Sequence, residues 1–134
     1  MNGFGLDPVP GQRRLSPDQT VLILRNGPQQ QRQIPLTQIR ILIGRNDPPH
    51  AQVDLDLSDC ELADPPMVSR RHALLQWQDG QLTLRDLGSR NGTTVNGEKL
   101  QSLPDQPYSN LVVLQLGSRI KFGNLELEVI NSHE

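Results

Sequence analysis

Two-residue turn signals between short apolar runs constrain the fold of this chain more than any other feature of its sequence. Asp79-Gly80 separates HALLQWQ from QLTLRDL, Asn96-Gly97 separates TTV from EKL, and Gly123-Asn124 separates SRIKF from LELEV. Such pairs close β-hairpins because their residues adopt the positive φ that a two-residue hairpin turn needs. The sequence therefore predicts at least three antiparallel hairpins.

The first of these turns also predicts the register of its hairpin. If the turn closes there, Trp77 pairs with Leu82 and Leu75 pairs with Leu84. Side chains that face each other across a hairpin lie on the same face of the sheet. Four apolar side chains then share one face, which we expect to be buried.

Further apolar runs precede the first hairpin, namely TVLILRN, QIPL, QIRILIGR and VDLDL. In the third run Ile39, Ile41 and Ile43 fall on one face, and alternation in VDLDL turns its aspartates outward. No stretch has a long helical period, so the predicted fold is all-β, a two-sheet antiparallel sandwich of about ten or eleven short strands. We expect residues 1–19 to be a flexible tail, 20–130 the domain and 131–134 a short C-terminal tail.

Composition excludes several classes of protein. The net charge is −2 and aromatic residues make up 3%, whereas a nucleic-acid binder needs a basic stripe with stacking aromatics. The single cysteine, Cys60, excludes a disulfide framework within the chain. No apolar run approaches the roughly 20 residues that span a bilayer. We expect a cytoplasmic protein with no nucleic-acid partner and no membrane insertion.

Polar residues concentrate in three loops at strand ends. The loops are Gly44-Arg45-Asn46, Ser69-Arg70-Arg71-His72 and Gly88-Ser89-Arg90-Asn91-Gly92-Thr93. Each adjoins an apolar strand, so rigid elements present it, and loops on a rigid sandwich are where binding sites are usually built.

In this order the three loops resemble the forkhead-associated (FHA) domain family. The matching residues are Gly44-Arg45, then Ser69 with His72 three positions later, then Asn91-Gly92-Thr93 with Val95-Asn96-Gly97, and finally Leu116-Gly117, Ile120 and Gly123. The resemblance runs from about Thr20 to Val129. It implies an FHA-like sandwich that binds phosphothreonine in a partner protein.

The resemblance also implies roles for individual residues. Arg45 and Ser69 bind the phosphate in the family, and Arg70 stands at a position that often adds a further contact. A guanidinium fork suits phosphate oxygens and keeps its charge at any working pH. The residues implied to contact the peptide are Ser89, Arg90 and Asn91.

A second set of residues is implied to support the site structurally. The set is Gly44, His72, Gly92, Asn96 and Gly97. We expect His72 to be a buried organiser of the loops and neither a catalytic residue nor a metal ligand. Asp86, opposite Ala73 on the inward face, is expected to be a hydrogen-bonded structural carboxylate. No residue is assigned to catalysis or to a metal, and no cofactor is expected.

Three long connections depart from the compact family pattern. They comprise residues 46–52, residues 58–68 and residues 102–110. The first two border the inferred phosphate site. Because family members choose the residues that flank the phosphothreonine with these loops, the insertions leave the ligand preference open.

Two functions from different classes compete. The first is a phosphothreonine-dependent interaction module in signalling or regulated assembly. The second is a phosphate-independent scaffold or assembly subunit that uses the sandwich as a docking surface. An enzyme is not expected, because the sequence has no Walker-type loop, no metal-spaced His/Cys cluster and no strong acid–base pair. The partner, its kinase and the oligomeric state do not follow from the sequence.

Overall fold

The computed structural model describes residues 15–132, which form eleven strands in two sheets. In chain order the elements are β1 (Thr20–Leu24), β2 (Gln33–Pro35), β3 (Arg40–Gly44), β4 (Leu55–Asp56), one turn of 3₁₀ helix (Ser58–Cys60), β5 (Arg71–Gln78), β6 (Gln81–Asp86), β7 (Thr93–Val95), β8 (Glu98–Lys99), β9 (Val112–Leu114), β10 (Arg119–Phe122) and β11 (Leu125–Asn131). The predicted all-β sandwich is confirmed.

One sheet has the strand order β2-β1-β11-β10-β7-β8, and the other has the order β4-β3-β5-β6-β9. Within residues 15–132 all strand pairs are antiparallel except β3 with β4, where Ile43 lies beside Leu55 in a parallel pair. The predicted antiparallel sandwich thus has one parallel pair, at the edge of the five-stranded sheet. The reason is the loop after β3, which turns back at an Asp47–Ala51 bridge and lets β4 run in the direction of β3.

The hairpins form at the predicted turns. Trp77 pairs with Leu82 and Leu75 with Leu84, as the sequence predicts. Asp79 and Gly80 have φ of 52° and 77°, positive at both central positions as a type I′ turn requires. The Asn96-Gly97 turn joins β7 to β8, and φ is positive at both of its residues as well.

The core lies between the two sheets and consists almost entirely of aliphatic side chains. Its largest fully buried members are Phe122, Leu22, Leu24, Leu36, Ile43, Leu57, Leu75, Leu82, Leu84, Leu114, Ile120 and Leu125. Burying one such side chain contributes about 1.5–3 kcal/mol to the free energy of unfolding. Ile39 does not join this face, because it precedes β3, and the residue is 70% exposed.

The ends of the described region are tied to each other. Residues 17–19 form a turn before β1, and the amide of Ser132 donates to the carbonyl of Gln19 at 2.7 Å. Leu15 packs against the core. Residues 1–14 and 133–134, where most of the two predicted tails fall, lie outside the described residues. Within residues 15–132 no helix is long and apolar enough to cross a membrane.

Candidate functional site

The three polar loops meet at one end of the five-stranded sheet, because β3 and β6 end where β5 begins. Gly44 lets the end of β3 approach the backbone of Arg70 closely, since a Cβ atom at this position would collide with it. Just beyond it, the amide of Arg45 donates to the carbonyl of Arg70 at 3.1 Å. Two arginines from different loops thus start from adjacent backbone positions.

The Arg45 side chain is half-buried and fixed at its inner nitrogen. Nε donates to the carbonyl of Val68 at 2.6 Å. The terminal nitrogens make no hydrogen bond or ion pair within residues 15–132. The guanidinium is therefore oriented by the protein while its outer edge stays available to an anion.

Ser69 connects the second loop to the third. Its Oγ accepts a hydrogen bond from the amide of Arg90 at 3.0 Å. Because that bond uses only an acceptor lone pair, the hydroxyl hydrogen is left to donate elsewhere. The loop segment before Ser69 is held by Glu61, whose carboxylate accepts from the amides of Met67 and Val68 at 3.1 and 2.9 Å.

These side chains line one open pocket with a volume of about 480 Å³. Its lining comprises Arg45, Ser69, Arg70, Gly88 and Arg90. Three arginines therefore line a single space, and one of them, Arg70, is ion-paired with Asp47 at 2.9 Å. Such a pocket favours an anion with several acceptor oxygens.

Asp86 at the end of β6 holds the third loop in shape. Its carboxylate accepts from the amides of Gly88 and Ser89 at 2.9 and 3.0 Å and from the hydroxyls of Ser89 and Thr93, both at 2.6 Å. Burial alone would raise the pKa of Asp86, but the hydrogen bonds from Ser89 and Thr93 outweigh it, so the pKa lies below its ordinary value of 3.8. Asp86 is thus a charged structural carboxylate.

The residues implied to contact a peptide divide into two groups. Arg90 and Asn91 are exposed at the rim, where Asn91 Nδ2 donates to the carbonyl of Met67 at 2.9 Å. The hydroxyl of Ser89 points inward, donating to Asp86 and accepting from the amide of Gly92 at 3.0 Å. The Ser89 hydroxyl therefore makes its hydrogen bonds within the loop, and the contact of Ser89 with a peptide stays a prediction.

His72 lies beneath the pocket with no exposed surface. Nδ1 accepts from the amide of Ser69 at 3.0 Å, so the hydrogen sits on Nε2, which donates to the carbonyl of Gly92 at 2.9 Å. The ring also packs edge-on against Phe122 with centroids 5.2 Å apart. Burial lowers the pKa of His72, because the charged form loses its solvation. The neutral ring bonds the second loop to the third.

Asn96 and Gly97 are not brought to the pocket. The Asn96 side chain accepts from the amide of Arg119 at 2.8 Å, which ties the β7–β8 turn to β10. Together with Arg25 both residues line a different cavity, on the six-stranded sheet. The structure therefore joins Asn96 to β10, and neither residue lines the pocket of the three loops.

The sequence does not predict the roles of Asp47 and Glu61, although both contact the loops of the site. Both lie in the long connections, and neither is part of a periodic pattern or a family motif. Each contacts a residue that is distant from it in sequence: Asp47 pairs with Arg70, and Glu61 accepts from the amide of Val68. The only signal in the sequence is that acidic residues occur in connections that border a basic loop.

A β-sandwich with a cationic pocket built from three loops defines a class of binding module, and comparisons identify the family. The FHA domain model matches residues 41–123. The oxoglutarate dehydrogenase inhibitor of Corynebacterium efficiens is 32% identical over 95% of this chain and 77% of its own length. The glycogen accumulation regulator GarA of Mycobacterium tuberculosis is 30% identical over 89% of this chain and 62% of its own length.

Solved FHA domains share the fold. A structure from a study of phosphothreonine-dependent FHA domain interactions is 29% identical, with a TM-score of 0.61 over 84% of this chain and 95% of that chain. The FHA domain of FhaA, crystallised with the intracellular domain of another protein, is 30% identical, with a TM-score of 0.60 over 82% of this chain and 98% of that chain. This chain belongs to the FHA domain family, and it is an interaction module.

Proposed function

We propose that this chain is a non-catalytic module that binds a phosphothreonine in a partner protein and thereby serves signalling or regulated assembly. One observation carries the proposal: Arg45, Ser69, Arg70 and Arg90 line a single open pocket. A phosphorylated side chain carries about −1.5 to −2 charge at pH 7 and three strong acceptor oxygens. Three guanidinium groups and a hydroxyl match that ligand in charge and in hydrogen-bonding capacity.

The pocket is partly organised before a ligand arrives. Arg45 is held through Nε by the carbonyl of Val68, and the Ser69 hydroxyl is positioned by the amide of Arg90. Groups that are already ordered lose less conformational entropy on binding. We assign Arg45 and Ser69 to the phosphate for this reason, with Arg70 as a third contact.

The peptide backbone is assigned to the rim of the third loop. Asn91 donates through Nδ2 to the carbonyl of Met67, which leaves Oδ1 to accept from a peptide N–H. Arg90 lies beside it and is exposed. Contacts of this kind recognise the presence of a peptide and add little sequence preference.

The names of relatives support a regulatory role. One relative is named an inhibitor and another a regulator, and a related solved domain comes from a study of phosphothreonine-dependent interactions. By analogy, this module acts on its partner by binding it and leaves the chemistry to other proteins.

A second candidate is a docking surface that needs no phosphate, and a groove on the outer face of the five-stranded sheet favours it. The groove has a volume of about 440 Å³, and its lining includes Arg40, Arg71, Leu74 and Tyr108. A partner bound there would be indifferent to phosphorylation. Phosphatase treatment therefore separates the two candidates.

The test is a pulldown with the full chain as bait, from lysate treated or not treated with phosphatase, followed by an oriented phosphothreonine peptide library. The proposal expects a partner that is lost after phosphatase treatment, and library peptides that bind only when phosphorylated. A partner retained equally in both lysates, with no phosphopeptide bound, would refute the proposal and support the groove.

A further inference from the structure

Asp47 places a carboxylate at the rim of the phosphate pocket. Its Oδ2 lies 2.9 Å from Nε of Arg70. Of the three arginines that line the pocket, Arg70 alone is ion-paired within the described part of the chain. The half-buried Arg45 donates instead to a backbone carbonyl, and Arg90 is exposed.

The position of Asp47 is fixed by its loop. The amide of Asp47 donates to the carbonyl of Ala51 at 3.0 Å, and the carbonyl of Asp47 accepts from Ala51 and His50 at 2.9 and 2.7 Å. Ala51 is buried, which anchors this turn to the domain. Asn46 closes it further, because its Oδ1 accepts from the amide of Val53 at 2.8 Å. The inserted residues 46–52 thus present one carboxylate at a defined place beside the pocket.

A phosphate that binds Arg70 side-on, through Nε and one terminal nitrogen, displaces Asp47 from Nε. Phosphate carries more charge and more acceptor oxygens than a carboxylate, so it is the stronger partner for the guanidinium. The exchange leaves Asp47 charged, partly exposed and without its cation, next to the bound ligand. A cationic side chain of the ligand restores the pairing, whereas an acidic one meets like charge.

We propose that Asp47 is a specificity-determining residue: it gives up Arg70 to the ligand phosphate and then pairs with a lysine or arginine close to the phosphothreonine. This inference rests on the proposed function and narrows its ligand class to phosphothreonine segments with a neighbouring basic residue. The insertion after Arg45, which no family motif explains, thereby acquires a role in ligand choice.

The expected effect is modest, because the side chains of Arg70 and Asp47 are 56% and 39% exposed. Exposed ion pairs contribute about 0.2–1 kcal/mol, which corresponds to roughly 1.4- to 5-fold in affinity. Measurements at about 10 mM salt reduce the screening of such pairs, since the Debye length there is about 30 Å.

The experiment is a fluorescence-anisotropy titration of the full chain with one phosphothreonine peptide series at low salt. Each of three positions on either side of the phosphothreonine carries Lys, Gln or Glu in turn. The variant is Asp47→Asn. Asp59→Asn is the matched control, because it changes the net charge equally and Asp59 makes no ion pair within residues 15–132.

For at least one position, wild type and Asp59→Asn should bind the Lys peptide about 1.4- to 5-fold more tightly than the Glu peptide, and Asp47→Asn should lose that preference. Asp47→Asn should also bind the Gln peptide about 1.4- to 5-fold more tightly than wild type, because the phosphate then displaces no carboxylate from Arg70. A Lys preference that persists in Asp47→Asn, or is absent from wild type, overturns the inference. Equal affinities of wild type and Asp47→Asn for the Gln peptide do so too.

The experiment distinguishes a failure of the Asp47 role from a failure of the proposed function. Phosphopeptide binding that is indifferent to Asp47 overturns only the role of Asp47 and leaves the proposed function standing. If neither wild type nor Asp47→Asn binds any peptide of the series, while both remain folded by thermal scan, the proposed function fails and the inference fails with it.

Discussion

Replacing Asp86 with alanine should destabilise the domain and disorder the three-loop pocket together. The carboxylate accepts four hydrogen bonds, from the amides of Gly88 and Ser89 and the hydroxyls of Ser89 and Thr93. The chain that follows carries Arg90 into the pocket. Asp86→Ala removes the acceptor from all four donors at once.

The magnitude follows from where those donors lie. Thr93 is fully buried, so its hydroxyl loses its acceptor without access to water, at a cost of about 1–3 kcal/mol. The other three donors are partly exposed, and water replaces part of what they lose. A total of about 3 kcal/mol lowers the Tm of a domain of this size by roughly 10–15 °C. The Tm of Asp86→Asn should lie between those of wild type and Asp86→Ala, because the amide side chain keeps one acceptor oxygen.

Thermal scans and urea titrations measure this loss, and Asp54→Ala is the matched control. Asp54 is an exposed aspartate just before β4, whose carboxylate accepts one amide, that of Leu42, so its loss should cost under about 1 kcal/mol. If Asp86→Ala is as stable as Asp54→Ala, the hydrogen bonds at Asp86 do not organise the loop and the reasoning fails.

Three further predictions concern the histidine, pH and the ligand methyl group. His72→Ala should lower the Tm more than Ser69→Ala, which should mainly weaken phosphopeptide binding, because only His72 is a fully buried ring with two hydrogen bonds; equal Tm values would contradict this. Burial sets the pKa of His72 below its ordinary value of 6.5, so the unfolded chain binds the extra proton. The Tm should therefore be highest above about pH 6.5 and fall on acidification towards pH 5. A slope in that range as steep in His72→Gln as in wild type would exclude His72 as its source. Phosphothreonine differs from phosphoserine by one methyl group, and we expect a small apolar pocket between the loops of Ser69 and Asn91 to bind it, so phosphothreonine should bind about 10–200-fold more tightly. Calorimetry with matched peptides that gives equal affinities would exclude this pocket.

The sequence predicts well what is decided by neighbours along the chain. The register of β5 and β6 depends on one two-residue turn and on alternation, so pairing Trp77 with Leu82 needs no knowledge of the rest of the fold. The loops that carry Arg45 and Ser69 are recognisable for a similar reason, because each motif is contiguous and adjoins a strand.

Contacts between distant segments are less predictable. The ion pair of Asp47 with Arg70 joins two loops separated by β4 and a 3₁₀ turn, and no periodicity links the two residues. Asn96 follows the binding motif closely in sequence, yet the β7–β8 turn directs its side chain to Arg119. The parallel pairing of β4 likewise depends on how the inserted loop folds back, which alternation in VDLDL does not encode.

The central claim is that the three-loop pocket binds phosphate, and Arg45→Ala tests it most directly. Isothermal titration calorimetry with a phosphothreonine peptide should show at least a tenfold loss of affinity, since a charge-assisted hydrogen bond contributes roughly 1.5–3 kcal/mol. Arg40→Ala, an exposed arginine on the outer face, is the control and should bind like wild type. An Arg45→Ala variant that is folded and binds the phosphopeptide with wild-type affinity would contradict the account.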